Sequence, residues 1–317
     1  MQRVSFFITL LVISALACGA SQSQPSAAVG PVETAPSPQV TEEAGGSSTA
    51  FDSQKLGVVE RDVTYCIMNG IELKMDVYYP SSNDGPWAAA MYIHGGGWSN
   101  GDKADGAGAK EIGPLRAAGF LVVAVNYRLA PQNLFPAMIE DVKCAVRSLR
   151  AHADEYNLDP DRIGVWGGSA GGHLAAMLGT TDKNAGFDVG EYLDQSSRVQ
   201  AVVDMFGPAD LTVPFEGGYE SARRVFDGFD AARASPVTYV SADDPPFLIL
   251  HGTEDELVPL EQSQILLARL QAAGVPAELV IVANAAHGFT PAPGGISPSR
   301  REISQRVVDF FVKYLGG

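Results

Sequence analysis

Short, mostly apolar runs recur along this chain at intervals that suit a layered α/β fold. They are Ala88–Ile93, Phe120–Val125, Ile163–Trp166, Val199–Met205, Phe247–Leu250 and Glu278–Val282. Each is strand-length and apolar on consecutive residues, the pattern of strands buried on both faces of a parallel sheet. Helical patterns lie between them. From Phe135 to Glu155, Met138, Val142, Ala145 and Leu149 form one stripe. Glu261–Ala273 and Ser297–Leu315 are also expected to be helices, with Ser297 placed to cap the second and Pro298 suited to its first position. Ahead of this alternation, Ile71, Leu73, Met75 and Val77 share one face of a strand that follows Asn69-Gly70, a tight-turn pair. The expected class is therefore α/β: a mostly parallel central sheet with antiparallel N-terminal strands and helices on both faces.

Three of the strand-like runs end in glycine-rich or polar segments that can carry chemistry. Ile163–Trp166 runs into Gly167-Gly168-Ser169-Ala170-Gly171, a G-x-S-x-G sequence, and then into a helical pattern. A serine on a sharp strand-to-helix turn has its hydroxyl pushed out of the sheet, and flanking glycines are needed where a Cβ would strike neighbouring backbone. Ala88–Ile93 runs into His94-Gly95-Gly96-Gly97-Trp98, whose glycine amides can point into a cavity and hold an oxyanion. No G-x-x-x-x-G-K-[ST] phosphate loop is present. Phe247–Leu250 runs into His251-Gly252-Thr253-Glu254-Asp255-Glu256-Leu257-Val258-Pro259. A carboxylate there can accept the Nδ1 proton of a histidine and set its tautomer. Asp255, three residues before Val258-Pro259, is the choice among the three acids; Glu254 and Glu256 are expected to be solvated. The last strand-like run is followed by Ala286-His287-Gly288-Phe289. Of the five histidines, His287 alone sits on a late strand-to-helix loop. The chain order is then Ser169, Asp255, His287, that of the α/β-hydrolases.

On these residues the chain resembles the hormone-sensitive-lipase-like esterases and the related bacterial feruloyl- and acetyl-esterase group. The matching segments are His94-Gly95-Gly96-Gly97-Trp98, Asn126-Tyr127-Arg128-Leu129-Ala130-Pro131, Gly167-Gly168-Ser169-Ala170-Gly171-Gly172, Asp255 with Val258-Pro259, and His287-Gly288-Phe289. The resemblance spans roughly residues 58–315 and implies an α/β-hydrolase fold. It implies a Ser169–His287–Asp255 triad cleaving carboxylic esters through an acyl-enzyme. It also implies an oxyanion hole made by the amides of Gly96, Gly97 and Ala170, and no metal or organic cofactor. The Asn126–Pro131 segment and Glu140-Asp141 are expected to support structure. Trp98 either lines an acyl pocket, as a substrate-binding residue, or packs in the core. The less regular segment from Pro208 to Ser241 is expected to be an insertion over the site. Two other readings stay open: an amide-cleaving aryl formamidase or peptidase on the same triad, and a non-catalytic binding module on the same fold.

The N-terminus reads as an export address. Arg3 precedes a mostly apolar run, Val4–Leu16, too short to span a bilayer as a permanent helix but of signal-peptide length. Ala15-Leu16-Ala17 offers small residues to a signal peptidase, and Cys18 follows. That arrangement resembles the bacterial lipoprotein signal, with Ala15 where the usual sequence has Leu. It implies lipidation of Cys18 and a membrane-anchored protein; plain secretion is the alternative. Residues 19–50 contain no Lys, Arg, aromatic, Leu or Ile residue. Such a stretch buries too little surface to offset its ordering entropy and is expected to be a tether. The expected division is signal peptide 1–17, tether 18–50 and catalytic domain 51–317.

The net charge of −15 argues against nucleic acid, which needs clustered Lys and Arg. The expected partner is instead a small-molecule or polysaccharide-linked ester, with membrane contact only through Cys18. Three cysteines are too few for a disulfide scaffold. Cys66 and Cys144 are expected to be separate buried thiols, a bridge between them being the alternative.

Overall fold

A computed structural model of the protein describes residues 51–82, 85–214 and 223–316. The expected signal peptide and tether, with Cys18, lie outside these residues, as do positions 215–222 of the irregular segment. Among the described residues no helix is long and apolar enough to cross a membrane.

The chain opens with β1 (Val59–Met68) and β2 (Ile71–Tyr78), an antiparallel pair joined at Asn69-Gly70. Both turn residues adopt positive φ, 52° and 80°, the geometry whose twist matches the flanking strands. Leu73, Met75 and Val77 are buried on one face as expected, while Ile71 at the strand start is exposed. Next come β3 (Trp87–Ile93), α1 (Ile112–Ala117), β4 (Leu121–Val125), α2 (Ala137–Ala151), the single turn α3 (Ala153–Tyr156), β5 (Leu158–Gly168) and α4 (Ala170–Thr180). The order ends with β6 (Ala201–Met205), β7 (Phe247–Gly252), α5 (Glu261–Ala272), β8 (Ala277–Val282), the short pair β9 (Ala285–Ala286) and β10 (Thr290–Pro291), and α6 (Arg300–Leu315).

The eight-stranded sheet has the order β1-β2-β4-β3-β5-β6-β7-β8. β2 meets β4 antiparallel, and every pairing from β4 to β8 is parallel. The consecutive apolar residues of β3 show why the runs lack alternation. Ala89, Met91 and Ile93 pack into one core layer with Met138 and Val142 of α2 and Leu174 of α4. Ala88, Ala90 and Tyr92 pack into the other with Leu115 of α1 and Phe311 of α6. Both faces are covered, so both need apolar side chains.

Three local expectations are corrected. Cys66 and Cys144 form a disulfide, with Cα atoms 6.4 Å apart, tying β1 to α2. Strand and helix patterns say nothing about whether two sulfurs face each other; here the packing of α2 over β1 brings them together. The final helix is capped by Ser299, not Ser297. Ser299 accepts from the Glu302 amide, and the Glu302 carboxylate accepts from the Ser299 amide, a reciprocal capping box. Ser297 instead makes a backbone bridge with Ala283. The helix expected from Phe135 to Glu155 starts after Pro136 and breaks at His152.

Candidate active site

Ser169 stands between the end of β5 and the start of α4 with φ 58° and ψ −121°, a conformation that L-residues rarely adopt. Its neighbours leave no room for side chains. A Cβ on Gly171 would come within 2.1 Å of the Ile93 carbonyl oxygen, and one on Gly167 within 2.3 Å of the Gly171 carbonyl oxygen. The turn is held by the Ser169 amide donating to the Met205 carbonyl at 2.9 Å. The next helical turn closes through the His173 amide on the Ser169 carbonyl at 3.0 Å. The first amide of α4, that of Ala170, lies at a helix N-terminus, where negative charge is favoured.

Asp255 and His287 come from the far half of the sheet. Asp255 follows β7 and is buried, whereas Glu254 and Glu256 are exposed. Its Oδ1 accepts from the amides of Leu257 and Val258 at 3.0 and 2.9 Å. Its Oδ2 then faces His287, whose Nδ1 stands 2.7 Å away. The carboxylate binds the Nδ1 proton, so Nε2 is the nitrogen left to accept. A second histidine braces this loop. Buried His251 donates from Nε2 to the Val258 carbonyl at 2.8 Å, and its Nδ1 accepts from the Ser263 hydroxyl at 2.6 Å. Burial lowers the His251 pKa, which favours this neutral, doubly engaged form.

The glycine loop after β3 supplies the third component. Gly96 and Gly97 adopt φ of 108° and 58°. A Cβ on Gly96 would come within 2.1 Å of the Asn100 carbonyl oxygen. The Gly96 carbonyl accepts from the amides of Ser99 and Asn100 at 3.2 and 3.0 Å, closing the loop on itself. His94 supports it from below: its ring stacks on Tyr127 at 4.3 Å, and its Nδ1 donates to the Gly95 carbonyl at 2.7 Å. Tyr127 donates to the His94 carbonyl at 3.0 Å. Asn126 ties the other end, accepting from the Lys103 amide at 2.6 Å and donating to Asp102 at 2.9 Å. Arg128 is paired with Asp141 and Glu140. The Asn126–Pro131 segment and the Glu140-Asp141 pair thus hold structure, as the sequence implied.

Ser169, His287, Gly96 and Gly97 line one cavity of about 420 Å³, with Asn100 and Asp105 among the polar groups of its wall. Asp255 sits behind His287. Trp98 is elsewhere: it is only 3% exposed and does not line this cavity. Its indole donates to His173 Nδ1 at 3.3 Å and meets Phe226 edge-on at 4.9 Å. Of its two expected roles, the packed core aromatic is the one found; the acyl-pocket role is corrected. The described part of the 208–241 segment also differs from expectation. Phe226 meets Trp98 edge-on and the Ala234 carbonyl accepts from His173, and none of the described residues of 208–241 lines the cavity. Among the described residues no group of three or more His, Cys, Asp or Glu side chains is arranged to hold a metal ion.

Sequence reasoning passed over Phe206. It lines the cavity, is 2% exposed, and lies 4.8 Å from the His287 ring. The available signal was its position just past the C-terminal end of a parallel strand, where sites collect in such sheets.

Comparison with known proteins agrees with this architecture. The family model described as BD-FAE matches residues 75–270. The probable carboxylic ester hydrolase LipM of Mycobacterium tuberculosis is 38% identical over 190 residues, 56% of this chain and 44% of LipM. Esterase LipQ of the same organism is 34% identical over 205 residues, 61% of this chain and 47% of LipQ. The chain thus spans about half the length of the curated relatives it matches. Among solved structures, a truncated carbohydrate esterase from gut microbiota has a TM-score of 0.69 at 30% identity, covering 83% of this chain and 98% of that one. Thermogutta terrifontis esterase 2, phosphonylated by sarin, has a TM-score of 0.71 at 26% identity, covering 80% and 94%. The fold is that of the α/β-hydrolases. With a family model matched over more than half of its 317 residues, the chain belongs to the BD-FAE family.

Proposed function

We propose that this protein is a serine hydrolase of carboxylic esters, with Ser169 as nucleophile, His287 as base and Asp255 as the acid that orients it. The observation that carries this reading is His287 Nδ1 at 2.7 Å from Asp255 Oδ2, with the imidazole and Ser169 lining one cavity. His287 takes the serine proton as the hydroxyl attacks the ester carbonyl. The oxyanion forms against the amides of Gly96, Gly97 and Ala170. His287 returns the proton to the leaving alcohol, and water repeats the cycle on the acyl-enzyme. Relatives named as ester hydrolases support the reaction class.

The substrate in this reading carries a short acyl group, acetyl or feruloyl-type, on a small or polysaccharide-linked alcohol. Its support is the carbohydrate esterase among the structural relatives and the one solved with propionate bound. The protein is exported and held to a membrane through lipidated Cys18. The Cys66–Cys144 disulfide suits an oxidising compartment.

Hydrolysis of p-nitrophenyl acetate, butyrate and longer esters by wild type and Ser169→Ala tests the reaction. Wild type turns over the short esters and the variant does not; equal inactivity on esters and formamides rejects it. Replacing Cys18 by Ser tests the anchor, and unchanged membrane association rejects that.

A further inference from the structure

The turn that follows β6 is built around an aromatic ring in an unusual conformation. Phe206 has φ 46°, in the left-handed region that a bulky residue seldom occupies. Three hydrogen bonds hold it there. The Phe206 amide donates to the Leu250 carbonyl at 2.8 Å, anchoring the turn to β7. The Met205 carbonyl accepts the Ser169 amide at 2.9 Å, anchoring it to the serine turn. Inside the turn, Asp204 Oδ1 accepts the Gly207 amide at 2.9 Å. Asp204 is fully buried, and its other oxygen has no partner.

The ring this turn presents touches both sides of the cavity. It lies 4.8 Å from His287 at an interplanar angle of 65°, and 4.8 Å from Phe289 at 82°. Against the serine turn the fit is just as close: a Cβ on Gly168 would come within 3.0 Å of the ring's Cζ. His287 is otherwise fixed at one nitrogen. A single Nδ1–H bond to Asp255 leaves the imidazole free to swing about that bond, and a bulky ring packed near edge-to-face against it blocks that swing.

We propose that Phe206 is a positioning residue for His287, its ring holding the imidazole plane so that Nε2 stays directed at the serine side of the cavity. This rests on the serine-hydrolase reading above. Because the turn is bonded to both β5's serine turn and β7, one ring registers the base against the nucleophile and the acid together. Misplacing a reacting group by about 1 Å is enough to cost on the order of a hundredfold in rate.

The test uses the full chain, Phe206→Ala and the volume-keeping Phe206→Leu, each checked for cooperative thermal unfolding; if the alanine variant does not fold, the leucine variant decides. Two readouts are taken. One is kcat and KM on p-nitrophenyl acetate. The other, independent of turnover, is the downfield proton resonance of His287 Nδ1–H, assigned by its loss in His287→Gln. Loss or broadening of that resonance, with kcat lowered about ten- to a hundredfold and KM changed little, supports the proposal. An unchanged resonance overturns it, as does a lost resonance with kcat intact, or a loss confined to KM. If wild type turns over no ester yet its resonance depends on Phe206, the positioning stands and the hydrolase reading falls.

Discussion

Trp98 Nε1 donates to His173 Nδ1 at 3.3 Å, and His173 Nε2 donates in turn to the Ala234 carbonyl at 2.7 Å. The glycine loop, the helix behind Ser169 and the 208–241 segment are thereby joined through one neutral imidazole. Complete burial lowers the His173 pKa to about 4. A proton on Nδ1 would leave the indole N–H facing another donor.

That burial gives the stability of the protein an acid-sensitive part. Between pH 4 and 6.5 the unfolded chain protonates this histidine and the folded chain does not, so stability rises with pH through that window. His173 is expected to withdraw about 3 kcal/mol as pH falls from 7 to 4. Urea midpoints across that range check this, and His173→Asn should flatten the slope. An equal slope in the variant would assign it to other groups.

Asp204 contributes with the opposite sign. Burial raises its carboxyl pKa to about 7. The folded state therefore holds a proton that the unfolded chain releases near pH 4, and the stability this gives is lost as pH rises toward 7. Asn copies the protonated acid and keeps an acceptor for the Gly207 amide. Asp204→Asn should gain on wild type by roughly 4 kcal/mol between pH 4 and pH 7.5, while Asp204→Ala leaves that amide unpaired and loses about 1–3 kcal/mol. Parallel denaturant titrations of the three proteins decide the matter.

Asp255→Asn separates charge and tautomer from shape. An amide at this position can still accept from Leu257 and Val258 with its oxygen, but then presents NH₂ to His287 Nδ1. The imidazole is driven to the wrong tautomer, and kcat should fall by about 10⁴ with the fold intact. Steady-state kinetics on p-nitrophenyl acetate, beside circular dichroism, measure both. A loss under tenfold would remove Asp255 from the triad.

The Cys66–Cys144 bridge closes a loop of sequence separation 78. Reducing it, or replacing both cysteines by alanine, should cost about 2–5 kcal/mol. Guanidinium unfolding with and without dithiothreitol gives the number, and the double variant should show no further response to reductant.

Much of this protein is legible along the chain. The strands β3 to β8 and the helices α2, α4, α5 and α6 follow from consecutive apolar runs alternating with helical patterns, because burial on both faces of a sheet demands that arrangement. The serine turn and the glycine loop are legible for a related reason: close backbone approach excludes a Cβ, so glycine must appear at Gly96, Gly167 and Gly171. Even the choice of Asp255 over its acidic neighbours was open to reading, since it depends on spacing to Val258-Pro259.

What the linear order left undecided was which side chains face one another across separate elements. Ser297 and Ser299 are equal candidates for a cap until the backbone bridge to Ala283 claims the first. Cys66 and Cys144 are a strand residue and a helix residue until α2 lies on β1. Trp98 turns into the core, and Phe206 out beside His287, for reasons that involve Phe226, His173 and Phe289 far away in sequence. Local periodicity encodes which face of an element is apolar; it carries no information on the partner that covers that face, and the partner is set only when the sheet order brings distant strand ends together.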